Sequence, residues 1–485
     1  MNRKTKYILN PEIVIIPNKT RNVLFRIDSF FHSPDKICPI SPFDSIFLLL
    51  FDGNRTVDEV ERDFLLIFGN NHKSFNVEKA IEKIKSWIRI DDLLIDSETL
   101  TQEERIKYSD RVDPSSLLIG KNVFDMKNGD LRLDAPLSLN FNVTTSCRFG
   151  CEYCYHPLDE ISEFIPLQRL KEVLLQFKEN GCQSVMLTGG DPMLRPDIDE
   201  IMEYLHKIGL FYSLSTKSIL SEERIDKLIN NAGLDRIQIS LDSNHAEIVE
   251  KIIHAPLGYF GSCVKMIKYM ISRGIDVRLK SVLTSYNADY VEQYFDFVAS
   301  LGVKHVQLVG YGRSGARHKD VLFPSCEQMK KASEIIAKAK KKYPNMTIVG
   351  GGYSPQFANP VENCTNMFEK RSVCNAGRFA VTMLPNGEVT VCEQLPYNEK
   401  YIIGDLSKED LMQWWNGQRL KNWLSPPKRE EFAPGIPCYD CPEDDYNICH
   451  RKYSRCLRYC REYFGVTEMP DVRCPKARFE EFRIG

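Results

Sequence analysis

The sequence has no long apolar run, although 43% of its 485 residues are hydrophobic. A membrane-spanning helix needs about 20 consecutive, mostly apolar residues, so none is expected. The first segment, MNRKTKYILNPEIVIIPNK, has no extended apolar core and no small-residue cleavage site, so we expect no signal peptide. Together these absences predict a cytoplasmic protein.

An excess of charge of one sign is also absent. Lys and Arg total 64 and Asp and Glu total 66, which gives a net charge of −2 at pH 7. Proteins that coat nucleic acid or anionic membrane usually carry a clear basic excess. We therefore expect neither nucleic acid nor membrane as a partner. No internal repeat or low-complexity tract stands out.

Cysteine, in contrast, is abundant, with 16 residues in the chain. Structural disulfides are rare in a reducing compartment, and grouped thiols in such a chain usually bind metal. Cys38, Cys182, Cys263 and Cys326 stand alone, whereas the others fall into two groups. The two groups are therefore the candidate metal sites.

Residues 1–100 predict a small α+β unit with a winged-helix-like layout. Its β-rich runs flank a polar turn, and its helical segments carry apolar residues on one face. Thr56 and Glu59 form a capping-box pattern at one helix start. The predicted elements are strands over 12–17 and 22–28, helices over 43–51, 56–68 and 77–90, and a strand over 93–96. Residues 101–135 are polar and irregular and predict a linker or bridging region.

From 136 to 320, β-rich runs alternate with amphipathic segments. Six such βα units predict a parallel sheet curled into a partial or full barrel, with its chemistry at the carboxyl ends of the strands. Strands are predicted over 137–143, 184–189, 211–216, 236–242, 277–283 and 305–310, and helices over 167–179, 197–208, 222–231, 263–273 and 288–301. A connecting helix and strand over 321–362 and a Cys-rich domain over 363–485 complete the chain.

The first barrel strand runs directly into TTSCRFGCEYCYH, where Cys147, Cys151 and Cys154 are spaced C-x3-C-x2-C. Three thiolates on a [4Fe–4S] cluster leave one iron without a protein ligand, where a cofactor can bind. On spacing alone, a zinc site is the alternative. The second strand ends in the turn 188–192, Thr-Gly-Gly-Asp-Pro, whose glycines allow backbone to approach a ligand closely.

These motifs resemble the radical S-adenosylmethionine (SAM) superfamily over roughly 136–320. The resemblance implies that Cys147, Cys151 and Cys154 hold a [4Fe–4S] cluster whose fourth iron is chelated by SAM. Reductive cleavage of SAM in that family yields a 5′-deoxyadenosyl radical, which abstracts a hydrogen atom from the substrate. The family therefore implies an enzyme supplied by an external reductant such as flavodoxin or ferredoxin.

The resemblance also assigns cofactor contacts. Tyr153 occupies the aromatic position near the adenine. Gly189, Gly190 and Asp191 match the family's Gly-Gly-Glu-Pro turn, which meets the methionine amino group mainly through backbone, with Asp here in place of Glu. Four further residues lie where ribose and carboxylate contacts usually form, with the alternative that they only cap strand ends: Ser215, Ser240, Asp242 and Lys280. We nominate no catalytic acid or base.

The second group holds nine cysteines, more than one tetrahedral site can use. Two zinc ions are the alternative to two iron–sulfur clusters. The pattern resembles the SPASM extension of radical SAM enzymes, which holds two auxiliary [4Fe–4S] clusters, for three in the whole chain. By position, the first set is Cys364, Cys374, Cys392 and Cys460, and the second is Cys438, Cys441, Cys456 and Cys474. Cys449 is either spare or replaces Cys456.

Residues 1–100 resemble the leader-binding domain of precursor-peptide-modifying enzymes. We expect the leader to add a strand to the edge at 22–28, with helix 77–90 as the groove wall; a structural cap is the alternative.

The whole chain thus predicts a maturase that cross-links the core of a ribosomally made peptide through a thioether or carbon–carbon bond. The rivals are a formylglycine-generating sulfatase-type maturase, a zinc-binding winged-helix regulator and an electron-transfer protein.

Overall fold

The computed structural model describes residues 2–18, 22–27, 37–68, 76–88, 92–101, 114–117, 132–157, 160–313, 317–350 and 373–476. The chain forms two compact units, Met1–Asp134 and Ala135–Gly485. The finer division at residues 100, 320 and 362 stays a prediction. Within the described ranges, no helix is long and apolar enough to cross a membrane.

The first unit contains two antiparallel three-stranded sheets, in the orders β2-β3-β4 and β5-β1-β6, together with three helices. Its elements are β1 (Lys6–Leu9), β2 (Ile13–Pro17), β3 (Asn22–Arg26), β4 (Ile37–Ile40), α1 (Pro42–Leu49), β5 (Asp52–Thr56), α2 (Val57–Phe68), α3 (Val77–Ile88) and β6 (Leu94–Asp96). The predicted hairpin and three helices are confirmed, and three strands were missed.

The position of β3 corrects one prediction. β3 pairs with β2 on one side and with β4 on the other, so it is the central strand of its sheet. The expectation that 22–28 offers an open edge to a leader is therefore wrong. Among the described residues of this unit, β2 and β4 form the edges of this sheet, and α3 packs beside β4.

The helices of the first unit follow the predicted patterns. The Thr56 N–H donates to Glu59 Oε2 at 2.8 Å and the Glu59 N–H to Thr56 Oγ1 at 3.3 Å, which is the predicted capping box. One turn after another, α2 and α3 bury their apolar residues in a common core with α1, where Phe47 and Phe64 meet at 5.2 Å between ring centroids. Burial of one apolar face explains why these short helices form.

The second unit is built on one ten-stranded sheet in the order β13-β12-β11-β10-β9-β8-β7-β14-β15-β16. Its first elements are β7 (Ser138–Thr144), α4 (Leu167–Glu179), β8 (Ser184–Gly189), α5 (Ile198–Lys207), β9 (Phe211–Thr216), α6 (Glu222–Ala232), β10 (Arg236–Ser240), α7 (Ala246–Ile253), α8 (Tyr259–Ser272), β11 (Asp276–Leu283), α9 (Val291–Ser300), β12 (His305–Gly310), α10 (Cys326–Lys342) and β13 (Thr347–Val349). Strands β7 to β13 run parallel in chain order. The predicted α/β architecture is confirmed.

The two faces of these strands differ in chemistry. On β7, Leu139, Phe141 and Val143 are fully buried in the core under the helices, while Asn140 and Asn142 alternate with them. Strand β10 repeats this alternation, with Ile237 and Ile239 facing the same core. The face opposite the helices is therefore polar, which is where a partial barrel holds its ligands.

The Cys-rich region is joined to this sheet. Its elements are β14 (Ala380–Met383), β15 (Glu388–Thr390), β16 (Ile402–Asp405), α11 (Leu411–Asn416), α12 (Gln418–Leu424), α13 (Glu443–Asn447) and α14 (Leu457–Phe464). Strand β14 pairs in parallel with β7, and β14 and β15 form the predicted hairpin around Gly387, whose φ of +92° requires glycine. The strand that leads to the first cysteine motif is thus bonded to β14, the first strand of the hairpin, and the second strand of that hairpin, β15, leads to Cys392.

Candidate active site

The first cysteine motif forms a loop directly after β7. The loop is anchored to the end of α7, because the Gly150 N–H donates to the Ile253 carbonyl at 3.2 Å and the Glu152 N–H to the Ile252 carbonyl at 3.0 Å. Within it, the Cys154 N–H bonds to the Cys151 carbonyl at 3.1 Å. These backbone bonds hold the loop in a compact turn.

The three thiols of this loop share one space. Burial, together with the charges of Cys154 and Cys147, raises the pKa of Cys151 to about 11. Burial likewise raises the pKa of Cys147, on which Cys154 also acts. Three thiols that interact in this way are the donor set that a cluster with one open iron requires.

The spacing of the thiols bears on the zinc alternative. Among the residues that the structure describes, no three Cys, His, Asp or Glu side chains converge closely enough to bind a single ion. A mononuclear zinc site places its sulfur ligands about 2.3 Å from one centre. The choice between zinc and an iron–sulfur cluster therefore stays a prediction at this point.

The glycine turn after β8 packs against the cysteine loop. A Cβ at Gly189 would lie 2.2 Å from the Thr144 carbonyl oxygen, and one at Gly190 would lie 2.1 Å from the Ser146 carbonyl oxygen. The N–H groups of Gly190 and Asp191 donate to those two carbonyls at 2.8 Å each. Only glycine fits at these two positions, and the N–H groups of Gly190 and Asp191 are used inside the fold.

The side chain of Asp191 connects neighbouring strand ends through hydrogen bonds. Its Oδ1 accepts hydrogen bonds from Thr216 Oγ1 at 2.6 Å and from the Met193 N–H at 3.1 Å. Its Oδ2 accepts from the N–H groups of Lys217 and Ser218 at 3.0 Å each. Asp191 is 2% exposed, and its carboxylate joins the ends of β8 and β9. Its predicted contact with SAM stays a prediction.

Two other predicted residues contact each other. The Tyr153 hydroxyl donates to Asp242 Oδ2 at 2.5 Å, and the Val282 N–H donates to Asp242 Oδ1 at 2.9 Å. Burial raises the pKa of Asp242 and also that of Tyr153. This pair ties the cysteine loop to the ends of β10 and β11.

The remaining predicted residues lie on the polar face of the sheet. Ser215 Oγ accepts a hydrogen bond from Gln238 Nε2 at 2.6 Å, and Ser240 lies in register with Lys280 on the neighbouring strand. Burial lowers the pKa of Lys280, while the charge of Glu393 opposes this shift. Their predicted contacts with SAM stay predictions.

Lys217, which interacts with the thiols of the cysteine loop and with Asp242, was missed by sequence reasoning. Burial alone would lower the pKa of Lys217, but the charges of Cys151, Asp242, Cys154 and Cys147 outweigh it and raise that pKa. The sequence does show a lysine directly after the third parallel strand. Which residues surround it, however, depends on the order of the strands in the sheet, which the sequence does not give.

The C-terminal thiols fall into two sets, and Cys364 lies outside the described residues. In the first set, burial raises the pKa of Cys392, and the charges of Cys456 and Cys374 add to the increase. In the second, burial, together with the charges of Cys474 and Cys441, raises the pKa of Cys438 to about 11.

Cys460 lies between these sets. It is fully buried, its thiol donates to the carbonyls of Met469 and Pro470 at 3.4 Å each, and the charges of Cys456 and Cys438 act on it. The charge of Cys456 acts on the pKa of Cys392, and that of Cys374 acts on the pKa of both, although the predicted sets put Cys456 in the second cluster and Cys460 in the first. The ligand sets themselves stay a prediction.

Comparison with known proteins agrees with this geometry. Residues 141–298 match the Radical SAM superfamily, and residues 374–442 match SPASM, an iron-sulfur cluster-binding domain. The fold and the two matched domains together define a radical SAM enzyme with a SPASM extension. Such domains bind iron–sulfur clusters and SAM.

Among curated relatives, the chain is 25% identical to the PqqA peptide cyclase of Gluconobacter oxydans (strain 621H) over 323 residues, which are 65% of this chain and 85% of that protein. It is 24% identical to the PqqA peptide cyclase of Streptomyces rochei over 364 residues, 71% of this chain and 91% of the relative.

Two solved structures share the fold. Streptococcus suis SuiB bound to precursor peptide SuiA matches with a TM-score of 0.59 and 16% identity, over 96% of this chain and 98% of SuiB. The enzyme anSMEcpe with bound AdoMet and the Cp18Cys peptide matches with a TM-score of 0.50 and 16% identity, over 70% of this chain and 94% of anSMEcpe.

Proposed function

We propose that this enzyme modifies a ribosomally made precursor peptide by forming a thioether or carbon–carbon cross-link in its core. The observation that carries the proposal is the set of three interacting thiols at the carboxyl end of β7, beside the glycine turn of β8. Likeness to PqqA peptide cyclases over most of their length supports a peptide as the substrate.

The residues present fit the cofactors that these domains imply. Cys147, Cys151 and Cys154 would hold the [4Fe–4S] cluster, and two sets of C-terminal thiols would hold the auxiliary clusters. When bound, cluster and SAM supply a 5′-deoxyadenosyl radical, drawing one electron from an external reductant such as flavodoxin or ferredoxin. Each cross-link removes two hydrogens from the peptide: one as an atom taken by that radical, the other as a proton to water and an electron to an auxiliary cluster.

The chain's own residues position these groups. Asp191 fixes the glycine turn against the start of the next loop, and Asp242 fixes Tyr153 on the cysteine loop. Both carboxylates are buried and hydrogen-bonded, so the loop geometry is set before any ligand binds. The polar face of the sheet, with Gln238 and Lys280, is the proposed place for the core peptide.

The leader is proposed to bind the first unit by strand addition at β4. β4 is an edge strand and lies beside α3, so an added strand there would contact the helix as well. β2 is the other edge of the same sheet. A purely structural role of this unit is the alternative.

The activity test uses anaerobically reconstituted enzyme with SAM and dithionite. We expect 5′-deoxyadenosine, and, with short peptides encoded beside the gene, a mass loss of two hydrogens per cross-link in tandem mass spectra. A hydrazide-reactive aldehyde in the product would instead indicate formylglycine. Reconstituted enzyme that forms no 5′-deoxyadenosine contradicts the proposal.

The leader proposal is tested with two matched isoleucines, both half-buried on edge strands. A charge on an edge strand blocks strand pairing. Ile37→Asp on β4 should weaken leader binding on the order of tenfold by fluorescence anisotropy, and Ile16→Asp on β2 should leave it nearly unchanged. Equal effects of the two variants would contradict binding at β4.

A further inference from the structure

Tyr311 follows β12 directly and continues its pairing with β11, because the Tyr311 N–H donates to the Leu283 carbonyl at 3.0 Å. On β12, Val306 and Leu308 face the core under the helices, and side chains alternate along a strand. This alternation places Tyr311 on the polar face of the sheet, at the carboxyl ends of the strands, where the cysteine loop also lies. Tyr311 is 4% exposed, so its hydroxyl group needs partners within the protein.

The Tyr311 hydroxyl begins a chain of hydrogen bonds to two residues of the segment that follows β12. Its Oη lies 2.8 Å from His318 Nδ1, and His318 Nε2 lies 3.0 Å from Asp320 Oδ1. The rings of Tyr311 and His318 are nearly parallel, at 10° and 5.8 Å between centroids, and Phe323 packs edge-on against both. This packing holds the two rings in place.

The partners determine where the protons of this chain lie. A carboxylate only accepts, so His318 carries its proton on Nε2, toward Asp320. The other ring nitrogen, Nδ1, then has a lone pair and accepts from the Tyr311 hydroxyl. The Lys319 N–H donates to the same hydroxyl oxygen at 3.2 Å. A hydroxyl, a histidine and a carboxylate in this order form the arrangement by which enzymes activate a weakly reactive hydroxyl group.

The hydrogen-bonded chain leads from the interior to the solvent. Tyr311 is buried, the His318 side chain is 16% exposed and the Asp320 side chain is 82% exposed. The same segment contacts the cysteine loop, since Lys319 Nζ lies 3.1 Å from Glu152 Oε1. A proton that the Tyr311 hydroxyl takes up at this end of the sheet therefore has a path to water.

The proposed reaction needs a group of this kind. Of the two hydrogens that leave the peptide for each cross-link, the radical takes one as an atom, and the other has to leave as a proton. A positioned base typically accelerates such a proton transfer by about 10²–10⁴-fold. The motifs of the cysteine loop and the glycine turn contain no group that we have nominated for this task.

We propose that Tyr311 is the catalytic base of the cross-linking step, and that His318 and Asp320 are positioning residues that carry the proton away. The second hydrogen passes as a proton from the peptide to Tyr311 Oη while the Tyr311 proton passes to His318 Nδ1. Asp320 balances the charge of the imidazolium, which then releases a proton to water, and the electron left on the peptide passes to an auxiliary cluster. This inference rests on the proposed function, since it requires a cross-linked peptide.

The test measures 5′-deoxyadenosine and cross-linked peptide in the same reaction. It uses reconstituted enzyme, SAM, dithionite and the peptide that loses two hydrogens in the activity test above. Failure of the wild type to cross-link any of those peptides contradicts the proposed function itself. Tyr311→Phe should slow cross-linking about 100-fold, as for the loss of a general base, and leave 5′-deoxyadenosine formation within about twofold of wild type.

Further variants separate proton transfer from support of the fold. His318→Ala should also slow cross-linking alone, and imidazole added to the buffer should restore part of the rate because it supplies the missing proton acceptor. Asp320→Asn changes an exposed side chain and should slow cross-linking without loss of iron. The control is Tyr212→Phe, which removes a hydroxyl that donates to the Ala232 carbonyl at 2.8 Å near the amino end of β9. It should leave both products unchanged.

Three results overturn the inference. One is unchanged cross-linking by an iron-replete Tyr311→Phe enzyme. Another is an equal loss of 5′-deoxyadenosine and of cross-links in the Tyr311 and Asp320 variants, which would mean that the chain of hydrogen bonds only supports the fold. The third is an iron-replete His318→Ala enzyme that imidazole does not restore. Loss of cross-linking alone, together with rescue by imidazole, supports the inference.

Discussion

The two cysteine regions of the second unit are built in opposite ways. Cys147, Cys151 and Cys154 come from one loop after one strand, and backbone bonds to α7 shape that loop. The C-terminal thiols come from a hairpin, a helix and irregular segments between residues 374 and 474. The ligands of a local motif can be identified from the sequence alone. The ligands of a distributed site can be identified only when the fold shows which segments lie together.

The regions share one device, a buried aspartate that ties the segments together. Asp191 joins the ends of β8 and β9 in the first region. In the second, Asp471 accepts the Cys456 N–H at 2.8 Å and two hydrogen bonds from the Arg473 guanidinium. Burial would raise the pKa of Asp471, but Arg473 outweighs it and lowers that pKa.

The largest effect is expected for loss of a thiol of the first cysteine motif, because this should abolish cleavage of SAM itself and not only the later cross-linking. Cys151→Ala removes a thiol of the local motif and should reduce 5′-deoxyadenosine formation to less than about one thousandth of wild type, because an incompletely ligated cluster is not held. Cys326→Ala, an isolated exposed thiol on α10, is the control and should keep full activity. Cleavage that survives Cys151→Ala would remove the distinction between the regions.

A second comparison tests how the distributed thiols are grouped. Cys456→Ala should leave 5′-deoxyadenosine formation intact, abolish cross-linking and cost about four irons per chain. Because the charge of Cys456 acts on the pKa of Cys392, we expect both thiols on one cluster, so the double variant Cys392→Ala/Cys456→Ala should lose no more iron than either single variant. Additive loss, measured by iron content and electron paramagnetic resonance, would place the two thiols on different clusters.

The paired aspartates give a smaller effect. Asp191→Ala should lower the free energy of unfolding by about 3 kcal/mol, because four donors lose a buried charged acceptor. Asp471→Ala should destabilise by a similar amount while sparing SAM binding, which Asp191→Ala should weaken. Chemical denaturation and SAM titration of both variants check this difference. Identical SAM affinities of the two variants would contradict it.

The smallest effect is expected at Cys449. The two sets, completed by Cys364 and Cys460, supply eight thiols and leave Cys449 over. Cys449→Ala should therefore keep the iron content and change stability by only about 1 kcal/mol, as for one small buried side chain. Loss of about four irons would instead make Cys449 a ligand.

Much of the second unit could be predicted because its strands and helices carry clear periodicity. β9 and α4 were predicted with the bounds that the structure shows. β5, with the sequence DGNRT, could not be predicted, since it reads as a turn and is a strand only through pairing with β1. β3 was wrongly predicted to be an edge strand because its second partner, β4, was not recognised as a strand in the sequence.

The site divides in the same way. The thiol loop and glycine turn are contiguous in sequence and were predicted residue by residue. Lys217, Gln238 and Glu393 were missed because their importance comes from strands that are neighbours only in the sheet. The hydrogen bond between Tyr153 and Asp242 joins residues 89 positions apart and could not be predicted for the same reason.

The parallel pairing of β14 with β7 has a consequence for synthesis on the ribosome. β7 is made early, but its partner on one side, β14, emerges only after about half of the chain has followed. Until then the barrel sheet has an unsatisfied edge, and edges of this kind invite pairing with other chains. Nascent or truncated chains that end before residue 380 should therefore depend on chaperones, and the iron sites should mature after release.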